Sequence, residues 1–482
     1  MSVIAETSAQ IRAAIASLPA DVSHDAHGSR KPELHEVYAP AGHAQALDPT
    51  APIVRGARGA GKSFWAGVLG DTTLRQAAAT AYPRLHLDRL EVGFGFTGLA
   101  APGGVSPALL EALVPVGADR ATARAFWWAT VLRAVDLARA ATPPPLRELQ
   151  ATALDVEQRE ALLEQQARRL ESEGRVALVV FDALDAVAST WPRRRLLLES
   201  LFEVVWALRA WPQIRPKVFL RTDQLEDDGL QFVELPKLRA GAIALSWDQT
   251  DLYGLLFARI AQGEAGTAFG SLLATLGIPL GTRAEILARA WSLTRSASQQ
   301  RQVMIALAGP YMGASARKGN TYDWPFKHLA DAFGEVTPRS FLGLAIGAAR
   351  HRGNEHDRVF APDGLRHGLR EASKTRVEQL HVEFPWIKSA LAPLARVLLP
   401  VQEEVVFDTW ERAWTVQQVV WGVELLGHSS PFPIEGQPTE RDLFIALERI
   451  GVMERRKDNR LDMPDLFRVA ARMLKKGAVA PS

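Results

Sequence analysis

Cysteine is absent from this chain. That excludes disulfide bridges, thiol nucleophiles and zinc-thiolate centres. Charge of one sign is also missing in bulk. The 56 lysines and arginines face 54 aspartates and glutamates, a formal net charge of +2, so any polyanion must be met by local basic clusters. No apolar run reaches membrane-spanning length; the best, Val176 to Phe181, stops at Asp182. Met1-Ser-Val-Ile-Ala-Glu has no basic stretch leading into an apolar one, so a secretory leader is not expected. The eleven histidines show no metal-ligand spacing with neighbouring acids. The expectation is a soluble, cytoplasmic protein with no membrane partner. What is present is ordinary globular composition, 47% hydrophobic and 23% charged over 482 residues, enough for two or three domains.

Residues 53–64 read IVRGARGAGKSF. Within them Gly56-Ala57-Arg58-Gly59-Ala60-Gly61-Lys62-Ser63 fits the phosphate-binding pattern G-x-x-x-x-G-K-[ST] at every position. Each residue type has a physical task. Gly56, Gly59 and Gly61 permit backbone conformations that turn consecutive N–H groups toward an anion. Lys62 reaches the β/γ-phosphates as a point charge, and Ser63 offers its hydroxyl to Mg2+. Ala51 to Arg55 precedes the loop as a short strand, and Phe64 to Leu69 begins a helix. A helix N-terminus adds partial positive charge under the anion. Gly56 through Phe64 is therefore the candidate segment for binding ATP with Mg2+. A glycine-rich turn that matches by chance is the bland alternative.

VALVVF at 176–181 is a continuous apolar run, the pattern of a strand buried on both faces of a parallel sheet. Asp182 follows directly, where a carboxylate holding the nucleotide's Mg2+ belongs; the alternative is a turn or cap residue. Asp185 comes three residues later. Another apolar strand is predicted at Lys217-Val-Phe-Leu-Arg-Thr-Asp223. Between them Trp191-Pro-Arg193-Arg194-Arg195 opens a helix with apolar residues at helical spacing. Cations are disfavoured at a helix N-terminus. An arginine finger, a DNA contact and solvated charge all stay open for these three.

Together the motifs resemble the additional-strand P-loop NTPases of the AAA+, STAND and KAP kinds, over roughly residues 35–350 in motif order and spacing. VVFDALD is similar to the hhhhDDLD of KAP-type NTPases and the hhhhDExD of origin-recognition-type initiators, without the second acid of either. The resemblance implies an α/β fold: a P-loop NTPase parallel sheet with a large helical insertion, a helical lid and a C-terminal winged-helix-like domain. It implies catalytic roles for Lys62, Asp182, Asp185, Thr222 and Arg339, with Ser63 and Asp182 on the nucleotide's Mg2+. Many relatives carry a water-activating glutamate after the Walker B aspartate, where this chain has Ala183. Either Asp185 takes its place, or hydrolysis is slow and the nucleotide acts mainly as a switch. Thr222 and Arg221 stand where relatives contact the γ-phosphate; closing the strand and capping the next turn is equally open to them. Val336-Thr-Pro-Arg339 looks like a sensor 2 helix start, with Thr337 and Pro338 suited to the cap and first turn. Tyr38 to His43 stands where relatives touch the base.

The implied organisation is an N-terminal helical extension at 1–34, an ATPase core at 35–262 with a helical insertion at about 97–173, a helical lid and helical domain at 263–430, and a winged-helix-like domain at 431–482. Connectors are expected at 25–31, 142–146, 351–358 and 431–438. Further strands are expected at 85–95 and 242–247. Thr439-Glu-Arg-Asp442 is a capping box. It is followed by a hairpin around Asp458-Asn459 and a helix from Pro464 to Lys475-Lys476. Arg455, Arg456, Lys457 and Arg460 would lie on the wing, where DNA phosphates are touched in such modules, though the same module also docks proteins. The expected function is an ATP-binding and ATP-hydrolysing regulatory NTPase, slow or partner-stimulated. It would switch or remodel a separate effector or partner protein in a bacterial defence or mobile-element system, as a homo-oligomer. The alternative is a DNA-associated AAA+ initiator-like or loader-like ATPase. No nuclease, protease, deaminase or TIR-like motif is recognisable.

Overall fold

The computed structural model describes residues 3–19, 31–100, 104–138, 144–188, 190–227, 229–353, 358–426, 430–432 and 436–480. Most of the expected connector at 25–31, and parts of those at 142–146, 351–358 and 431–438, lie outside these residues. Contacts gather the chain into two compact units, one of Ser23–Ser246 and one of Met1–Val22 with Trp247–Ser482. Sequence motifs had placed the divisions at 34/35, 262/263 and 430/431.

The Ser23–Ser246 unit is α/β. Strands β1 (Ile53–Arg55), β2 (Leu90–Phe96), β3 (Val176–Phe181), β4 (Ile214–Leu220) and β5 (Ile243–Ala244) form one sheet in the order β2-β3-β4-β1-β5. All its pairings are parallel. From Ala177 to Phe181 no residue of β3 is more than 1% exposed, which is why this strand is an unbroken apolar run. β4 lies between β1 and β3. The strand that leads into the glycine loop and the strand that ends at Asp182 therefore release their C-terminal ends on one edge, where open α/β sheets bind ligands.

Helices cover the sheet. Between β2 and β3 run Pro107–Leu113, Arg120–Leu137, Leu146–Leu154 and Val156–Ser172. Trp127 anchors the second of them. Its ring meets Phe96 and Phe181 edge-on at 5.9 and 5.8 Å, and its indole N–H donates to the Leu197 carbonyl at 2.8 Å. A Cβ on Gly93 would sit 2.0 Å from the Ala134 carbonyl oxygen, so only glycine lets helix and strand approach this closely.

Several strand boundaries differ from expectation. Residues 83–89 make two 3-10 turns, with His86 at φ 49°, so β2 begins at Leu90 rather than near 85. β4 begins at Ile214 and includes Pro216. Val218 donates its N–H to the Pro52 carbonyl, and residues two apart on a strand point their N–H groups to the same side. The missing donor of Pro216 thus faces the side where β1 has not yet begun, and no ladder bond is lost. β4 ends at Leu220, so Arg221 to Asp223 leave the strand.

The second unit is mainly helical. Pro338–Arg350 crosses Pro362–Glu383 closely enough that a Cβ on Gly368 would lie 2.2 Å from the Leu344 carbonyl oxygen. Val3–Ser17 packs on Pro338–Arg350 and on Gly266–Thr275. Thr439 and Asp442 form the capping box of Glu440–Arg449. Strands β7 (Glu454–Arg455) and β8 (Leu461–Asp462) then pair as a hairpin with Asn459 at φ 65°. The final helix is a correction: it covers only Asp465–Arg468, and Lys475 lies in a strand, β9 (Leu474–Lys475), paired with β6 (Leu398–Leu399). Arg468 is the reason. Its guanidinium is fully buried and donates to the carbonyls of Met473 and Val479 at 2.9 and 2.7 Å. The chain curls round this charge instead of continuing as a helix. Among the described residues no helix is long and apolar enough to cross a membrane.

Candidate functional site

The chain leaves β1 at Arg55 and turns through 56–61 into the Lys62–Gly70 helix. Gly56 donates its N–H to the Leu220 carbonyl at 3.1 Å, which ties the start of the loop to the end of β4. Gly59 and Gly61 adopt φ 86° and 102°, values that glycine takes without strain. The Lys62 ammonium folds back and donates to the carbonyls of Gly56 and Ala57 at 2.8 and 3.0 Å. A phosphate offers it charged acceptors, which bind it more strongly than these carbonyls.

Asp182 is 3% exposed. Its N–H donates to the Phe96 carbonyl at 2.9 Å, and its carboxyl lies within reach of the Ser63 hydroxyl. Burial pushes the carboxyl above the usual aspartate range, against the hydrogen bond from Ser63 and the charge of Lys62. Ser63 and Asp182 thus present two hard oxygen donors side by side, which fits Mg2+. Among the described residues no group of three or more histidine, aspartate or glutamate side chains could hold a metal unaided. An ion between Ser63 and Asp182 therefore needs phosphate oxygens and water to complete its shell, as Mg2+ usually does.

Asp185 lies in the 3-10 turn Leu184–Ala186 with its side chain exposed, and its charge is felt at Asp182. Ala183 stands between them in the left-handed region at φ 54°. Thr222 opens the one-turn helix Thr222–Leu225, two residues beyond the Leu220 carbonyl that binds Gly56. Its neighbour Arg221 is 7% exposed and grips Asp223 in a bidentate pair at 2.9 and 2.6 Å. The Gln224 side chain accepts from the Arg221 N–H, closing the turn that ends the strand. The structure thus brings the glycine loop, Asp182, Asp185 and Thr222 to one edge of the sheet. Arg339 belongs to the other unit, on the first turn of Pro338–Arg350, whose cap is Thr337.

Several expected contacts have other partners. Arg193 donates to the Val114 carbonyl, Arg194 to those of Ala188 and Asp185, and Arg195 holds Asp227 bidentately at 2.7 and 2.8 Å. These arginines tie the helix to its own unit. His43 is fully buried: the Trp65 indole donates to its Nδ1 at 2.9 Å, so Nε2 carries the hydrogen and faces the Ser246 carbonyl at 3.0 Å. That leaves no ring nitrogen for a base. In the C-terminal hairpin Arg455 pairs with Glu403, Arg456 with Asp462 and Arg460 with Asp458.

One residue at the edge has no sequence signal. Thr97 follows β2, is 3% exposed, and its hydroxyl has no hydrogen-bond partner among the described residues. An isolated threonine after a strand looks like any other.

No family model and no curated protein matches the sequence. Among solved structures the chain is similar to the ORC2 protein of Aeropyrum pernix, solved as ADPNP–ADP complexes. The identity is 12% and the TM-score 0.32, over 91% of this chain and 92% of that one. The candidate site therefore stands on its own geometry.

Proposed function

We propose that this chain binds ATP with Mg2+ at the 56–63 loop and hydrolyses it to switch or remodel a partner protein. The observation that carries the reading is that the Ser63 hydroxyl and the Lys62 ammonium both act on the buried Asp182 carboxyl. It joins two motifs far apart in sequence at the edge where the five parallel strands end. In this reading the N–H groups of the loop and of the helix start orient the phosphates. Lys62 exchanges its two loop carbonyls for phosphate oxygens. Ser63 and Asp182 hold Mg2+, which neutralises developing charge on the phosphates. Thr222 faces the γ-phosphate from the end of β4. A homo-oligomer and a bacterial defence or mobile-element setting belong to the same proposal.

The test is ATP hydrolysis and particle mass, measured together for wild type, Lys62→Ala and Asp182→Asn. Turnover by wild type, lost in both variants without a fall in melting temperature, supports the reading. Wild type that binds no ATP in the presence of Mg2+ sinks it. The DNA-associated alternative has one specific observation in its favour: the hairpin turn leaves Arg456 and Lys457 exposed. Duplex binding that weakens steeply with salt, and is lost when both are replaced by alanine, would select it.

A further inference from the structure

The hydroxyl of Thr97 is buried without a hydrogen-bond partner among the described residues, at the exit of β2 beside Asp182. Phe96 and Phe181 are register partners across β2 and β3. The next pair, Thr97 and Asp182, follows on the same ladder, because Asp182 still donates its N–H to the Phe96 carbonyl. Paired residues of parallel strands point to the same face, so Thr97 shares the face on which Asp182 meets Ser63. One residue on, Gly98 turns at φ 69°, and a Cβ there would meet those of Ala186 and Ala183 at 3.3 and 3.5 Å. The exit of β2 is thus laid over the turn that carries Ala183. A buried hydroxyl without a partner is costly, by about 1–3 kcal/mol, and calls for a partner that the chain itself does not supply.

The geometry points to Thr97 as the residue that positions the attacking water, in place of the glutamate replaced by Ala183. This rests on the ATPase reading above. In the step, the water oxygen bonds to the γ-phosphorus while the bond from that phosphorus to the β–γ bridging oxygen breaks. ADP leaves with the electron pair, and the water's proton ends on the released phosphate. The Thr97 hydroxyl accepts a hydrogen bond from the water and keeps its own proton, so it is a positioning residue and not a base.

The test uses full-length wild type, Thr97→Val and Thr97→Ser. For each, melting temperature, ATP turnover, and the affinities for ADP and for ADP with aluminium fluoride are measured. Thr97→Val is expected to melt no lower than wild type, since it removes an unpartnered hydroxyl at constant shape. Its turnover should fall about tenfold or more. Affinity for ADP with aluminium fluoride, which mimics the phosphoryl group in transfer, should fall by a similar factor with ADP affinity unchanged. Thr97→Ser should restore both. Unchanged turnover in Thr97→Val overturns the inference. So does a parallel loss of both affinities with a lower melting temperature, which would make Thr97 structural. Wild type that binds ATP without turnover overturns it while sparing the binding proposal, whereas wild type that binds no ATP removes both.

Discussion

Replacing Lys217 by methionine should change how the protein's stability depends on pH. Lys217 sits in β4 with no exposed surface, and its ammonium donates to the carbonyls of Ala46, Asp48 and Ala51. Those carbonyls belong to the segment that leads into β1. Burial pushes the ammonium's pKa from 10.5 down to about 7, against the pull of Asp48. Below about pH 7 the folded and unfolded chains both carry the proton. Between about pH 7 and 10.5 only the unfolded chain does, so unfolding takes up a proton and stability rises with pH. At 1.36 kcal/mol for each factor of ten, the rise from pH 7 to 9 is about 2 kcal/mol. In a domain of 150–250 residues that corresponds to about 4–8 °C in melting temperature. Thermal melts of wild type and Lys217→Met at both pH values isolate this residue, because other titrating groups change equally in the two proteins. Wild type should gain about 2 kcal/mol over the variant between pH 7 and 9. The variant should also melt lower throughout, since three carbonyls lose their donor. Equal pH slopes would refute the reasoning and mean that the carbonyls hold the ammonium charged beyond pH 9.

Two further outcomes are expected. Gly61→Ala meets no atom within 4 Å, so its penalty is backbone strain of about 1–2 kcal/mol. That strain should re-aim the loop N–H groups and weaken ATP binding about tenfold; titration calorimetry showing wild-type affinity would contradict this. In the helical unit, burial pushes the Asp465 carboxyl up, but hydrogen bonds from His328 and Arg468 outweigh it and hold the pKa at about 2. A carboxyl with a lowered pKa stabilises the fold above the usual range, and the contribution, about 2 kcal/mol, is lost as pH falls toward 2. Acid titration followed by circular dichroism should find a shallower loss in Asp465→Asn than in wild type, and equal losses would remove the assignment.

The parts of this fold that were legible in the sequence are those set by neighbours along the chain. The glycine loop, the unbroken run of β3, the Thr337 and Thr439 caps and the 454–462 hairpin all depend on residues within a few positions. Partnerships across long separations were not legible. Nothing near Arg195 announces Asp227, and nothing near His43 announces Trp65. The last helix was misjudged because LFRVAARMLKK has helical spacing, while the buried guanidinium of Arg468 and its distant carbonyls decide the backbone. Pro216 hid the start of β4, since a proline is tolerated in a sheet only where one flank is unpaired. Thr97 was invisible for a simpler reason: its position beside Asp182 exists only once β2 and β3 are in register.

The unit formed by Met1–Val22 and Trp247–Ser482 is discontinuous in the chain, and this sets an order of events during synthesis. Val3–Ser17 leaves the ribosome long before Pro338–Arg350, on which it packs. At about 5–20 residues per second the delay is on the order of 15–60 s. Meanwhile the Ser23–Ser246 unit, continuous in sequence, can complete its sheet. A helix made early is thus among the last to find its place, and through that interval its apolar face must be kept from other chains.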